Sequence, residues 1–272
     1  VDNAKVQWAK ARAFIKRECG IVLTDDQEYL LESRLGPVAR KLGMPSTDEL
    51  LEAIVERKPG SEAAQGVLDA LTTHESFFFR DHNFWRAFED CVMPQLIAAA
   101  RGRRLRFWSS ACSHGQEPYS LAMLLEEKWP DLARSCEIIA TDVSPLAIAR
   151  ASEGTFSALE AGRGLSPQRL LHHFERDAQG GFQIKSVMRQ RITWSVHNLL
   201  GQNRDPQDCD VAFCRNVLIY FSDADRRATL DRIEAAVRPG GFIALGGTET
   251  SPRVQVAPGM YERNAERNEV SL

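Results

Sequence analysis

The sequence predicts an α/β fold: a mostly parallel sheet with helices on both faces, preceded by a small all-helical unit and interrupted by a small inserted antiparallel sheet. Three observations carry this. From about residue 104, short apolar runs alternate with helical segments long enough to serve as crossovers. Residues 1–70 show helical patterning only. The stretch 174–198 breaks the alternation with two short polar–apolar runs, around 182–185 and 191–196, the first preceded by the turn signal Gln179-Gly180-Gly181. A chain of 272 residues accommodates one large domain or two unequal ones. The expected division is 1–70 and 71–272, with the insertion at about 174–198.

The helical unit begins with Val6, Ala9, Phe14 and Ile15 at roughly helical spacing, stopped by Gly20. Thr24 and Gln27 form a capping box ahead of Tyr29, Leu30 and Leu31, and Gly36-Pro37 is expected to interrupt that helix. Ser46 and Glu49 form a second box before Leu50, Leu51, Ile54 and Val55. Lys58-Pro59-Gly60 ends that segment, and 61–71 is one more helix. In the second half, 105–109 reads as a strand and 118–128 as a helix with proline in its first turn. A strand over 137–141 ends in Asp142, and Ser144 caps a helix started by Pro145. Strand 210–214, a helix over 223–237 capped by Ser222, the turn Gly240-Gly241 and strand 242–245 follow.

Composition excludes several classes. Hydrophobic residues make up 43% and charged residues 26%, the balance of a chain with a sizeable core. The net charge of −3 lacks the basic bias of nucleic-acid binders. No window approaches the roughly 20 apolar residues of a membrane span, and the N-terminus lacks a signal-peptide core, so a cytoplasmic protein is expected. The six cysteines are scattered with no Cys-x-x-Cys pair, so reduced thiols and no metal site are expected.

Four stretches could carry chemistry. The turn Ser110-Ala111-Cys112-Ser113-His114-Gly115-Gln116-Glu117 joins a strand to a helix, where doubly wound sheets hold their ligands. It matches neither Gly-x-Gly-x-x-Gly nor a P-loop. Asp142 ends the next strand, where a carboxylate can take both hydroxyls of a ribose or can serve as a helix cap. Taken with the first turn, an adenosine-type ligand is the better reading. Phe213-Cys214-Arg215-Asn216-Val217-Leu218-Ile219-Tyr220-Phe221 brings polar groups and a tyrosine to the same rim, or is simply core strand and connector. Leu71-Thr72-Thr73-His74-Glu75-Ser76-Phe77-Phe78-Phe79-Arg80 lies between the two units.

Together these four stretches resemble the chemotaxis receptor methyltransferase family, CheR. That family shows Leu-Thr-Thr-Asn-Glu-Thr-x-Phe-Phe-Arg, Gly-Glu-Glu-Pro-Tyr-Ser and Cys-Arg-Asn-Val-Leu-Ile-Tyr-Phe in this order. A Leu-x-Pro-Gly-Gly turn follows, met here as Val237-Arg238-Pro239-Gly240-Gly241. The resemblance implies a class I methyltransferase (Rossmann-like) domain behind a helical one, with S-adenosylmethionine as cofactor and S-adenosylhomocysteine as product. It places His74, Ser76, Arg80, Glu117, Asp142, Asn198, Leu199, Arg215 and Asn216 at the cofactor, and Arg80 and Tyr220 near the transferring methyl group. Departures are His74 for asparagine, Gln116 for glutamate, Ser76 for threonine and Gly246-Gly247-Thr248-Glu249 for Gly-His-Ser-Glu.

The activity so implied is methyl esterification of glutamates on the cytoplasmic helical region of a methyl-accepting receptor. A carboxylate is ionised at pH 7, so no general base is required. Arg34, Arg40 and Lys41 would dock an acidic helix, or are a solvated face. The inserted sheet is expected not to tether a receptor tail. Two alternatives stand beside this: a cofactor-binding scaffold without turnover, and an enzyme of the same fold acting on a small molecule or nucleic acid.

Overall fold

The computed structural model describes residues 3–27, 29, 31–56, 61–177 and 180–263. Leu30, the Lys58-Pro59-Gly60 stop and Gln179 lie outside them.

Among the described residues, ten strands build two sheets. In chain order they are β1 (Arg106–Ser109), β2 (Glu137–Asp142), β3 (Thr155–Phe156), β4 (Phe174–Arg176), β5 (Phe182–Ile184), β6 (Ile192–Val196), β7 (Cys209–Cys214), β8 (Val237–Leu245), β9 (Gln255–Ala257) and β10 (Met260–Glu262). The main sheet runs β6-β2-β1-β7-β8-β10-β9. Its first five strands pair in parallel, and β10 runs antiparallel to β8 and to β9. The chain builds outward from β1 on one side through β2 and β6. It then crosses to β7 and builds the other side, so the order reverses between β1 and β7. Such a reversal opens a crevice at the carboxyl ends of the strands.

Alternation along each strand divides the core into two. Trp108, Ile139, Ala212, Cys214, Ile243 and Leu245 face one side, where the N-terminal helices supply Trp8, Ala11, Ile15, Leu35, Leu50, Val67 and Leu71. Phe107, Ile138, Ala140, Val211, Phe213, Phe242 and Ala244 face the other, against Tyr119, Leu121 and Leu125 of helix Gln116–Lys128 and Phe84, Phe88 and Leu96. The helical unit therefore shares one core with a face of the sheet.

Several expectations change. In helix Asn3–Cys19 the buried stripe is Trp8, Ala11, Ile15 and Cys19 with Phe14, at i, i+3 and i+4 steps; Val6 and Ala9 face solvent. The Thr24–Gln27 pair opens only a single 3-10 turn, Asp25–Gln27, with the Gln27 side chain accepting from the Thr24 N–H at 2.9 Å. Gly36-Pro37 does not stop a helix. It begins one, Gly36–Lys41, continuous with a π-helical turn Leu31–Leu35, because proline in a first turn forfeits no hydrogen bond. The run at 191–196 is not part of the inserted sheet. It is β6, paired in parallel with β2 at the edge of the main sheet. The small sheet, ordered β3-β5-β4, takes Thr155–Phe156 as its third strand instead. Gly240 and Gly241 lie within β8 as an irregularity rather than ahead of it.

Candidate functional site

The crevice at the carboxyl ends of β1, β2 and β7 is a cleft of about 940 Å³, counting its open mouth. His74, Ser76, Arg80, Glu117, Asp142, Asn198, Leu199, Arg215, Asn216 and Tyr220 all line it. Arg34, Arg40 and Lys41 do not. Arg34 is half-buried and donates to the Ala70 and Thr72 carbonyls at 3.3 and 3.5 Å, tying helix to connector, while Arg40 and Lys41 face solvent.

Asp142 sits where β2 ends, 7% exposed. Its Oδ2 accepts the Ser113 N–H at 2.8 Å and its Oδ1 the Ser144 N–H at 3.0 Å, so one carboxylate fixes the first turn and the next helix together. Burial raises its pKa, against the lowering effect of those N–H groups. Asp142 thus does more than cap: the cap of helix Pro145–Glu153 is the Ser144 hydroxyl, which accepts from Ala147 N–H.

Arg215 is a buried cation in front of β7. Nη1 donates to Glu117 Oε2 at 3.1 Å, and Nη2 to Asp81 Oδ2 at 2.6 Å and the Arg80 carbonyl at 3.1 Å. Its guanidinium carbon stands 4.0 Å from the centre of the Phe84 ring. The other Glu117 oxygen accepts from the Ser109 hydroxyl at 2.8 Å. Arg215 Nε is buried and has no hydrogen-bond partner.

His74 links the helical unit to the cleft. Its Nε2 lies 2.8 Å from Thr72 Oγ1 and 3.3 Å from Asp69 Oδ1, and its ring stacks on His114 with centroids 5.1 Å apart. Burial works against the His74 cation, yet the Asp69 hydrogen bond and the charges of Asp142 and Asp69 raise its pKa. Burial and the Arg150 guanidinium push His114 down to about 4. Of the two rings, His74 is therefore the one that favours the proton.

Asn198 spans the two units. It donates to the Glu18 carbonyl at the end of the first helix and accepts the Leu200 N–H at 2.9 Å. Arg80 Nη1 donates to the Glu75 carbonyl at 3.0 Å, with its guanidinium 5.4 Å from the Phe77 ring centre. Tyr220 ends the 3-10 turn Leu218–Tyr220, and its carbonyl accepts from Val22 N–H at 2.9 Å. Phe78 and Phe79 are core. Phe78 packs edge-to-face on Phe156 and Phe174 of the small sheet, and only Phe77 of the three lines the cleft.

Sequence reasoning missed several contributors. Cys19 and Ile21 line the cleft from the helical unit, and nothing in their apolar setting distinguishes them from core. His197 lines it beside Asn198, its Nε2 2.8 Å from Asp205 Oδ1. Glu249, 6% exposed, accepts four backbone N–H groups. Oε2 takes Asn216 and Gly246 at 2.7 and 2.8 Å, and Oε1 takes Val217 and Leu218 at 2.9 and 2.7 Å. A glutamate two residues past a Gly-Gly turn was the available signal. Phe79, Asp81, Ser113 and Asn216 have positive φ of 50–63°, so the rim carries backbone strain where the motifs lie.

Five parallel strands, an antiparallel β10 set between β8 and β9, and a cleft at the switch point make a class I methyltransferase fold. Comparison with known proteins narrows the class. The family model "CheR methyltransferase, SAM binding domain" matches residues 74–263, and "CheR methyltransferase, all-alpha domain" matches 7–72. Chemotaxis protein methyltransferase 1 of Pseudomonas aeruginosa is 38% identical, over 97% of this chain and 99% of that protein. Chemotaxis protein methyltransferase Cher2 of Pseudomonas putida is 35% identical over 92% of each. The first such enzyme of Vibrio cholerae is 36% identical over 87% of this chain and 86% of its own. The chain belongs to the CheR methyltransferase family, whose chemistry is S-adenosylmethionine-dependent methylation. Among the described residues no helix is long and apolar enough to cross a membrane.

Proposed function

We propose that the chain esterifies glutamate side chains on the cytoplasmic helices of a methyl-accepting receptor and holds S-adenosylmethionine in the cleft at the β1–β7 switch point. The donor groups suit that molecule. Asp142, buried at the end of β2, offers carboxylate lone pairs to ribose hydroxyls. Leu199, Val143 and Phe221 give an apolar wall for the purine. Arg215, its side chain 2% exposed, holds Glu117 and Asp81 in place behind the cleft wall. The convergence of Glu117, Asp142, Arg80 and Tyr220 from separate elements on one cleft is the observation that carries the reading.

Bound S-adenosylmethionine supplies an electrophilic methyl group on sulfur, which a substrate carboxylate takes while S-adenosylhomocysteine leaves. The protein contributes alignment and exclusion of water. Arg80 holds the incoming carboxylate: its fork is anchored by one nitrogen at Glu75 and sits at the mouth of the cleft. Tyr220 lines the methyl side. No base is needed, since the glutamate arrives ionised. Arg40 and Lys41, exposed at the end of helix Gly36–Lys41, are the cations left to meet an acidic receptor helix; Arg34 is committed to Ala70 and Thr72. Position in the cytoplasm follows from the substrate proposed.

Titration calorimetry with S-adenosylhomocysteine tests the site. Binding by the intact chain and at least about tenfold weaker binding by Asp142→Ala is expected, as for loss of hydrogen bonds to a charged group. Unchanged affinity in the variant would remove Asp142 from the site. No binding by the intact chain would favour a docking scaffold.

A further inference from the structure

Phe77 is contacted by two guanidiniums from distant parts of the chain. Arg80 stands 5.4 Å from its ring centre and Arg163 4.9 Å. Both are tied to Glu75: Arg80 Nη1 donates to its carbonyl at 3.0 Å, and Arg163 Nη2 to its carboxylate at 3.3 Å. The backbone of Arg163 is firmly placed. It follows helix Ala158–Gly162, whose start is a complete Ser157–Glu160 capping box, and its own N–H donates to the Glu160 carbonyl at 3.2 Å. Gly164, at φ +95°, presses on the motif so closely that a Cβ there would stand 1.8 Å from the Phe78 carbonyl oxygen. The segment between β3 and β4 thus delivers a second cation to the rim that holds Arg80.

We propose that Arg163 is a substrate-positioning residue: it leaves Glu75 to take an acidic side chain that flanks the target glutamate on the substrate helix, while Arg80 takes the target. This rests on the glutamate-methylation reading above and adds a sequence preference to it. The Arg163–Glu75 pair is half-exposed on both sides, 50% and 62%, so exchanging one carboxylate partner for another costs little. The aromatic contact keeps the guanidinium at the rim during the exchange. Because both cations contact one ring, the two carboxylates they take must be near neighbours. On a helix, near neighbours on one face are three or four residues apart. Glu75 is then an internal stand-in for the flanking acid.

Initial-rate kinetics of the full chain would compare two helical receptor fragments, one with glutamate and one with glutamine three or four residues from the target. The wild type should show a KM about twofold lower on the glutamate-flanked fragment, less than one full exposed ion pair because the Glu75 pair is given up. Arg163→Ala should abolish that difference by raising KM on this fragment, with kcat and S-adenosylhomocysteine affinity held, and Arg163→Lys should restore part of it. Glu75→Gln, which removes the internal competitor, should lower KM on the same fragment. Equal KM values for the wild type on both fragments would overturn the proposal. So would an Arg163→Ala variant that keeps the discrimination but loses kcat or cofactor affinity, since that marks a structural role. A wild type that binds S-adenosylhomocysteine yet methylates neither fragment would overturn the glutamate reading, and this proposal with it.

Discussion

Arg215 and Asp142 are both ions removed from water, and the fold meets their desolvation differently. Arg215 is offset by two carboxylates and a carbonyl, whereas Asp142 has only two backbone N–H groups and a raised pKa. His74, which stands where the family's run has asparagine, couples charge to stability. Its folded pKa is raised above 6.5, so its contribution is complete below pH 6.5 and is lost as pH rises through the folded value. Burial opposes the Asp69 charge, but hydrogen bonds from His74 and Ser144 lower its pKa below 3.8. Its contribution is therefore present above about pH 4 and lost on further acidification. Melting temperatures should thus decline from pH 6.5 towards pH 9, and His74→Asn should remove that slope; parallel curves would deny His74 this role. At the substrate side, Lys cannot reproduce the planar fork of Arg80. Arg80→Lys and Tyr220→Phe are each expected to lower turnover on a receptor fragment by on the order of tenfold to a hundredfold, as misalignment does. Full turnover in both would refute their assignment.

The connector from Arg215 to Phe221 depends on a single side chain. Glu249 gathers the N–H groups of Asn216, Val217 and Leu218 with that of Gly246, and Asn216 is held at φ 59°. A carboxylate accepts all four; an amide offers one oxygen and turns donors toward two of them. Glu249→Gln should therefore destabilise the fold by about 2–4 kcal/mol, the cost of two unsatisfied buried donors. Urea denaturation would read this, and S-adenosylhomocysteine affinity should fall with it because Arg215 and Tyr220 ride on the same connector. A change below about 0.5 kcal/mol, the range of ordinary surface substitutions, would contradict the account. The inserted small sheet is held just as locally, by Phe78 between Phe156 and Phe174.

Across the whole molecule, the helical unit is a wall of the cleft and half of one core. It covers Trp108, Ile139 and Ala212 of the sheet, and Cys19 and Ile21 line the cleft. Asn198 holds the end of the first helix, and Ser144 donates to Asp69 Oδ1 at 2.7 Å across the same junction. The intact chain should unfold in one transition, coincident by tryptophan fluorescence and far-ultraviolet dichroism. A chain starting at residue 71 should expose the apolar sheet face, bind hydrophobic dyes and lose S-adenosylhomocysteine. Two separate transitions, or a stable truncated chain that keeps its affinity, would show that the unit is an independent appendage.

The sequence by itself determined the elements whose period and caps are local: β1, β2 and β7 lie within a residue of the apolar runs that predict them, and Ser61, Ser144 and Ser222 each cap the helix expected. The resemblance carried by its motifs implied ten cleft positions, and all ten line one cavity. Only the tertiary structure decided partners. The run at 191–196 has the same alternation whether it joins a small antiparallel sheet or the edge beside β2, so pairing was not legible in it. Gly36-Pro37 could end or begin a helix, and the π turn before it settled the matter. Arg34 reads as a surface cation until Ala70 and Thr72 claim it, and only the approach of Gly164 to Phe78 brings Arg163 to the Phe77 ring. Each of these depends on groups far apart in sequence, whose approach is fixed by packing rather than by local propensity.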